Sequence, residues 1–260
     1  MKPNFHKDEL KLSEYKELIR YSAEGLHDQV LDCMKELRRG ALLDVPSGQG
    51  ALSKDLEHLG FKTVLGDIEE ENIFYRNGRV VHLDLNFSLP FKDETFDYVA
   101  CVEGIEHIEN PHHLIKEFSR LLKRGGYLII TTPNVMTIKS RMRLLFYSYL
   151  DFFRYFGPVP PDEKHRIEEY DHQHLNPIYY GEMKFILEKY GFTIKGLQTN
   201  RRVKKWKTIF PLMKWLIIYK TKKKYQKDPQ YTSDLLLEGE ILIFVAKREN
   251  NPLLVKGASK

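Results

Sequence analysis

Two stretches of this sequence carry side chains at spacings that could do chemistry. One is Glu103-Gly-Ile-Glu106-His107, two carboxylates and an imidazole close together in the chain. In a helical turn, positions i, i+3 and i+4 share one face, so the three groups would converge. Such a set could hold Mg²⁺, Mn²⁺ or Zn²⁺ through Glu103, Glu106 and His107. A fourth ligand could come from His172 or His174 in Asp171-His-Gln-His-Leu175. Without a metal, His107 could act as general base with Glu106 beside it. The other stretch is Leu43-Asp-Val-Pro-Ser-Gly-Gln-Gly50. A glycine-rich turn lets a ligand approach the backbone closely, and a helix starting there would offer unpaired N–H groups. A nicotinamide dinucleotide calls for GxGxxG, but Ser53 stands where the third glycine belongs.

These groups need a scaffold, and the hydrophobic pattern supplies one. Apolar residues from Leu10 to Leu37 recur near helical spacing, with Gly40 as a stop, which predicts an N-terminal helical cap over 1–39. Strands are predicted at Ala41–Val45, Phe61–Leu65, Val80–Leu83, Phe96–Val102 and Tyr127–Thr131. Helical segments fall between them at Gln49–His58, Glu69–Phe74 and Pro111–Lys123, the last opened by its proline. Such alternation implies a mainly parallel sheet covered on both faces. After Pro133 comes an aromatic, basic stretch, Met136–Phe156, which ends at Gly157-Pro-Val-Pro-Pro161. A polar loop to His174, a helix at Pro177–Tyr190 and strands at Phe192–Leu197 and Glu240–Ala246 complete a single domain over 1–260.

Taken in order, LLDVPSGQG, VLGDI, HLDLNFSLPFKDETFDYVACVEGIEHI and LLKRGGYLIITTPN resemble the class I S-adenosylmethionine-dependent methyltransferases, over roughly residues 40–195. The resemblance implies an α/β fold: a doubly wound, Rossmann-like, seven-stranded, mostly parallel sheet with one antiparallel strand. It also implies S-adenosylmethionine as cofactor. Asp44 then matches the acid that orders the glycine loop, and Gly48 and Gly50 match the glycines lying against the ligand. Asp67 matches the acid that binds the ribose hydroxyls, and Asp84 the acid near the adenine amino group. Pro46, Ser47, Ile68, Leu85 and Glu103 complete the implied cofactor shell. Pro46 departs from the usual glycine and removes an N–H donor. The ExxEH pattern with a distant histidine is similar to two branches. One is the ubiquinone-biosynthesis O-methyltransferases; the other is the small-RNA 2′-O-methyltransferases, where such residues coordinate a divalent metal. The phrase HLNPIYYGEM places His174 ahead of His172 as the fourth ligand.

A sulfonium methyl is already an activated electrophile, so positioning, water exclusion and removal of one proton suffice. That favours a hydroxyl acceptor. The aromatic segment within 136–174 is expected to form a substrate lid over a small-molecule, lipid-linked or glycan acceptor. Residues 201–224 hold ten Lys/Arg and no acid, so the net charge of +5 belongs to one basic insertion within 200–239. Its aromatic and aliphatic residues, with lysines among them, predict an amphipathic element lying on an anionic membrane surface by way of 204–224. A helix docked on the core with solvated lysines and an RNA-binding strip with aromatic stacking are the rival readings. Two cysteines, Cys33 and Cys101, exclude a disulfide framework and point to a reducing, cytoplasmic compartment. The charged first ten residues are not expected to be a secretory signal. A catalytically silent scaffold and a nicotinamide oxidoreductase are the alternatives of other classes.

Overall fold

A computed structural model describes residues 18–153, 174–203, 210–224 and 228–249. The expected helix over Leu10–Tyr15, His172, most of the lid's polar loop and Trp206 lie outside them. The sheet has seven strands in the order β3-β2-β1-β4-β5-β7-β6. They are β1 (Ala41–Asp44), β2 (Lys62–Asp67), β3 (Arg79–His82), β4 (Phe96–Cys101), β5 (Leu122–Pro133), β6 (Phe192–Thr199) and β7 (Ile241–Arg248). β7 runs antiparallel to both of its neighbours, and the other pairings are parallel.

Side chains alternate across a strand, so each central strand feeds two cores. Leu42, Ile129 and Ile243 pack on one face with α1 (Leu26–Met34) and α2 (Ala51–His58) through Leu26, Val30, Met34, Leu52 and Leu56. Their chain neighbours Leu43, Leu128, Ile130 and Phe244 face α3 (Pro111–Leu121) and α5 (Tyr180–Lys189). α3 opens at Asn110, whose side chain accepts from the N–H of His113, with Pro111 at the first helical position.

The chain leaves β1 toward β2 on one side and later returns to β4 on the other. Such a switch point leaves a crevice at the carboxyl ends of the strands, where ligands bind in open α/β sheets. Asn134 fixes the rim of the far half. Its side-chain N–H groups donate to the carbonyls of Leu235, Leu236 and Gly239 in α7 (Asp234–Glu238) and the turn after it.

Three expectations change. Among the described residues the first helix begins at Leu26, after Gly25 with its left-handed φ of 74°, and residues 18–20 are not helical. The aromatic segment forms α4 (Ile138–Tyr147), which stops where Ser148 turns left-handed at φ 59° rather than running to Phe156. The basic insertion yields α6 (Phe210–Lys224), which has no buried residue and apolar side chains on both faces, so it is not amphipathic in the expected sense.

Candidate active site

The turn after β1 is set by backbone geometry. Ser47 N–H donates to Gly66 O at 2.9 Å and Gly50 N–H to Ser47 O at 2.8 Å. Gly50 must be glycine: its φ is 85°, and a Cβ there would lie 2.8 Å from that of Tyr75 and 2.9 Å from Leu65 Cδ2. Asp67, at the end of β2, accepts from Gly48 N–H at 2.8 Å and from Glu69 N–H at 3.0 Å. One carboxylate thus holds the turn and faces the crevice. Ile68 beside it is exposed, Leu85 is buried, and Asp84 Oδ1 accepts from Asn86 N–H at 2.9 Å. An acid that can accept from diol hydroxyls next to an exposed aliphatic side chain suits a nucleoside. Pro46 lies under Gly104, where a Cβ would sit 2.6 Å from Pro46 Cδ. The cofactor turn and the loop after β4 are therefore packed directly against each other.

Asp44 does not contact the loop N–H groups; it is buried and accepts from Ser53 Oγ at 2.6 Å. The missing third glycine thus has a job of its own, tying β1 to α2. Burial pushes the Asp44 carboxyl up to about 7, against the opposing Ser53 bond and with help from Asp67. A raised folded-state pKa means stability that is present below the ordinary 3.8 and lost as pH rises to about 7. Asp44→Asn removes that loss. The ligand-free variant is expected to melt several degrees above the parent at pH 8, a gain on the order of 2–4 kcal/mol. The two should coincide near pH 4. A variant that melts lower at pH 8 would show that the buried carboxylate is not a burden on the fold.

The N-terminal segment covers the turn. Ile19 N–H donates to Gln49 Oε1 at 2.8 Å, and Gln49 Nε2 to the Tyr21 hydroxyl at 3.2 Å. Neither tie has a pattern that sequence spacing could reveal.

At the other end, Glu106, His107 and His174 each place one ligand-capable atom within 4.8 Å of the others. Glu106 is fully buried, and neither carboxylate oxygen has a hydrogen-bond partner among the described residues. Burial, and then Glu103, push its carboxyl well above the ordinary range. His174 is lowered to about 4 by burial and by His107, against a backbone bond at Phe152, so it is neutral at physiological pH. The His107 and His174 rings meet edge-on at 4.8 Å, and Phe153 packs on His174 at 5.3 Å.

Glu103 does not join this group. Only Ile105–His107 forms a 3-10 turn, and Glu103 precedes it at φ 53°, so the helical i, i+3, i+4 geometry does not apply. Its backbone N–H donates to Thr131 Oγ1 at 2.9 Å. Burial, with Glu240, pushes its carboxyl up to about 7.

The strap that brings His174 in went unnoticed in the sequence. Leu175 and Asn176 N–H both donate to Glu106 O, at 2.7 and 2.9 Å, and the Asn176 side chain donates to Ile108 O. Asn176→Ala is therefore expected to lower turnover about 10–100-fold by misplacing His174, since displacement of order 1 Å costs that much. Cofactor affinity should stay unchanged. Equal turnover would show that His174 needs no such strap.

The donor set suits a divalent cation: one carboxylate and two imidazoles, with Glu106 and one His174 nitrogen, Nδ1, lacking a hydrogen-bond partner among the described residues.

Comparison with known proteins agrees with this geometry. A family model described as a methyltransferase domain matches residues 16–195. A ubiquinone biosynthesis O-methyltransferase of Pelagibacter ubique is 33% identical over 131 residues, which cover 47% of this chain and 54% of the relative. Its counterpart in Parvibaculum lavamentivorans is 30% identical over 124 residues, covering 45% and 47%. The chain thus spans about half the length of these relatives. Among solved structures, a SAM-dependent methyltransferase from Archaeoglobus fulgidus superposes with a TM-score of 0.54 at 17% identity, over 85% of this chain and 90% of that one. One from Mesorhizobium loti gives 0.51 at 12% identity, over 85% and 96%.

Proposed function

We propose, from the premise that this chain belongs to the class I S-adenosylmethionine-dependent methyltransferases, that it methylates a hydroxyl oxygen on a small lipid-associated or glycan acceptor. The observation that carries this reading is the buried, unpartnered Glu106 carboxyl beside two imidazoles. Such a group has no structural use, because an unsatisfied buried carboxyl costs stability. It is suited to hold a proton, or to give that proton up and take a cation.

When bound, S-adenosylmethionine supplies a sulfonium methyl that needs only an oxygen nucleophile in line. Asp67 would hold the ribose hydroxyls while keeping the turn closed through Gly48. Asp84 would face the adenine edge, and Ile68 would lie against the base. Ser47, Gly48 and Gly50 would line the methionine portion with Pro46 and Glu103 below. His107 takes the acceptor's hydroxyl proton as the oxygen gains the methyl group. Neutral His174 and Glu106 orient that imidazole and the acceptor oxygen. A divalent cation such as Mg²⁺, Mn²⁺ or Zn²⁺ fits Glu106, His107 and His174, and would lower the pKa of an acceptor hydroxyl bound to it.

The lipid-associated class of acceptor follows from what surrounds the site. α4, whose last turn exposes Leu144, Leu145, Phe146 and Tyr147, adjoins the His174 segment: Asp151 N–H donates to Ser140 Oγ, and Phe153 two residues on packs against His174. An acceptor with an apolar tail would be met at the cytoplasmic face of a membrane. A second reading, transfer to an RNA 2′-hydroxyl, draws on the same Glu-His-His group and on the lysines of α6.

The test is transfer of labelled methyl from S-adenosylmethionine into lipid, glycan and RNA pools, with and without added divalent cations. Label is expected in an alkali-stable ether within the lipid or glycan pool. Label confined to RNA would establish the second reading, and label on nitrogen or carbon would overturn both.

A further inference from the structure

A surface helix normally turns one apolar face to the core and one polar face to water. α6 breaks that rule. Its inner face is half-buried through Met213, Ile217 and Ile218, with Lys214 Nζ held by Asp234 Oδ1 at 2.6 Å and by Glu238 Oε1 at 2.5 Å. Its outer face carries Leu212, Trp215, Leu216 and Tyr219, at i, i+3, i+4 and i+7, all exposed, with Trp215 at 61%. Trp215 and Tyr219 stack on each other at 5.7 Å, so the stripe is ordered as well as apolar. The helix contains no acid; Lys222, Lys223 and Lys224 lie in its last turn and Lys220 just before it.

α4 packs against α6. Its own last turn exposes Leu144, Leu145, Phe146 and Tyr147, Leu145 at 72%. Half of the large apolar side chains exposed among the described residues thus sit on two touching helices. That concentration exceeds what scattered surface apolar residues require and marks an interaction surface.

We infer that this α4–α6 platform seats on an anionic bilayer, with Leu212, Trp215, Leu216 and Tyr219 dipping into the headgroup–acyl boundary and the terminal lysines meeting the lipid phosphates. Charge chooses the occupant: Lys220, Lys222 and Lys223 pair with no acid among the described residues, and a purely apolar partner would leave them so, whereas an anionic leaflet satisfies both features. Tryptophan and tyrosine are the residues suited to that boundary. The helix is about 22 Å long at 1.5 Å per residue, which suits lying in the interface. No helix among the described residues is long and apolar enough to cross a membrane. The platform stands on its own observations. Its use in presenting an acceptor to His107 rests on the hydroxyl-methylation reading above.

The test is co-sedimentation of the full chain with vesicles of phosphatidylcholine alone or with phosphatidylglycerol, in the absence of cofactor and acceptor. Binding is expected only to the anionic vesicles, with a blue shift in tryptophan emission that Trp215→Ser abolishes. Lys220→Gln, Lys222→Gln and Lys223→Gln together should weaken it roughly a hundredfold, at about fivefold per lysine. Leu212→Ser with Trp215→Ser should weaken it about tenfold or more. S-adenosylhomocysteine affinity reports that each variant is folded and should not change. No binding, or equal binding by the variants, overturns the inference. So does dimerisation without lipid that the same apolar variants abolish, because a second copy would then cover the platform. No methylation is measured, so failure to find a hydroxyl acceptor in the labelling test would reject the acceptor reading and leave the platform standing.

Discussion

Glu106→Gln is expected to lower turnover by about 10²-fold, the cost of misplacing the His107 base and the acceptor oxygen by about 1 Å, with S-adenosylhomocysteine affinity unchanged. Glutamine keeps the shape of a side chain that is fully buried and makes no hydrogen bond among the described residues. It removes only the ability to ionise. The fold should therefore tolerate it. With a carboxyl pushed well above its ordinary range, the parent loses stability as pH rises, and the variant does not. At pH 8 the ligand-free variant should melt at or above the parent temperature while turnover has collapsed. If a cation occupies the group, cation binding must displace the Glu106 proton, so affinity should rise with pH in the parent and fall sharply in the variant. Turnover within tenfold of the parent would remove Glu106 from the reaction.

The same site shows where sequence reading stops. Glu106 and His107 are adjacent in the chain, and any turn brings them together. His174 joins through a strap of backbone and Asn176 hydrogen bonds across nearly seventy residues, and no periodicity announces such a contact. Glu103 was drawn in by assuming a full helical turn. Its positive φ and Gly104, with its backbone pressed against Pro46, open that turn instead, so one intended ligand stays outside the group formed by Glu106, His107 and His174. Ser53 read as a missing glycine and proved to be the donor that holds Asp44. Spacing locates groups along an element, while their aim depends on backbone irregularities that spacing does not encode.

The sheet was far more legible, and for a physical reason. A strand buried on both faces must be apolar at successive positions, and a helix packed on such a sheet must be apolar at every third or fourth. Leu42 and Leu43 point into opposite cores, so both appear in the pattern. α6 was legible as an element and misjudged in its environment. Its two apolar faces look like one broad stripe on paper, and only the Lys214 pair with Asp234 and Glu238 shows which side is inward. Residues Leu18 to Ser22 carried helical spacing yet lie along the glycine turn, held by Gln49, where contact with the site outweighs local propensity.

Asp67→Ala should raise the dissociation constant for S-adenosylhomocysteine about 10²–10³-fold. Two effects add. In the proposed assignment the carboxylate accepts from two ribose hydroxyls, and charge-assisted hydrogen bonds contribute about 1.5–3 kcal/mol each. It also holds Gly48 N–H and Glu69 N–H, so its loss frees the turn that must be ordered before the ligand binds. Asp67→Asn separates them. The amide oxygen can still accept from Gly48, but the neutral group accepts more weakly and presents a donor to one hydroxyl. An intermediate loss, near tenfold, would divide the effect between turn and ribose. Calorimetry with S-adenosylhomocysteine measures both variants, and NADH should give no heat with the parent. Affinity within threefold of the parent for Asp67→Ala would mean that the nucleoside does not lie over β2. Every assignment made along the turn from Ser47 to Gly50 would then have to be redrawn.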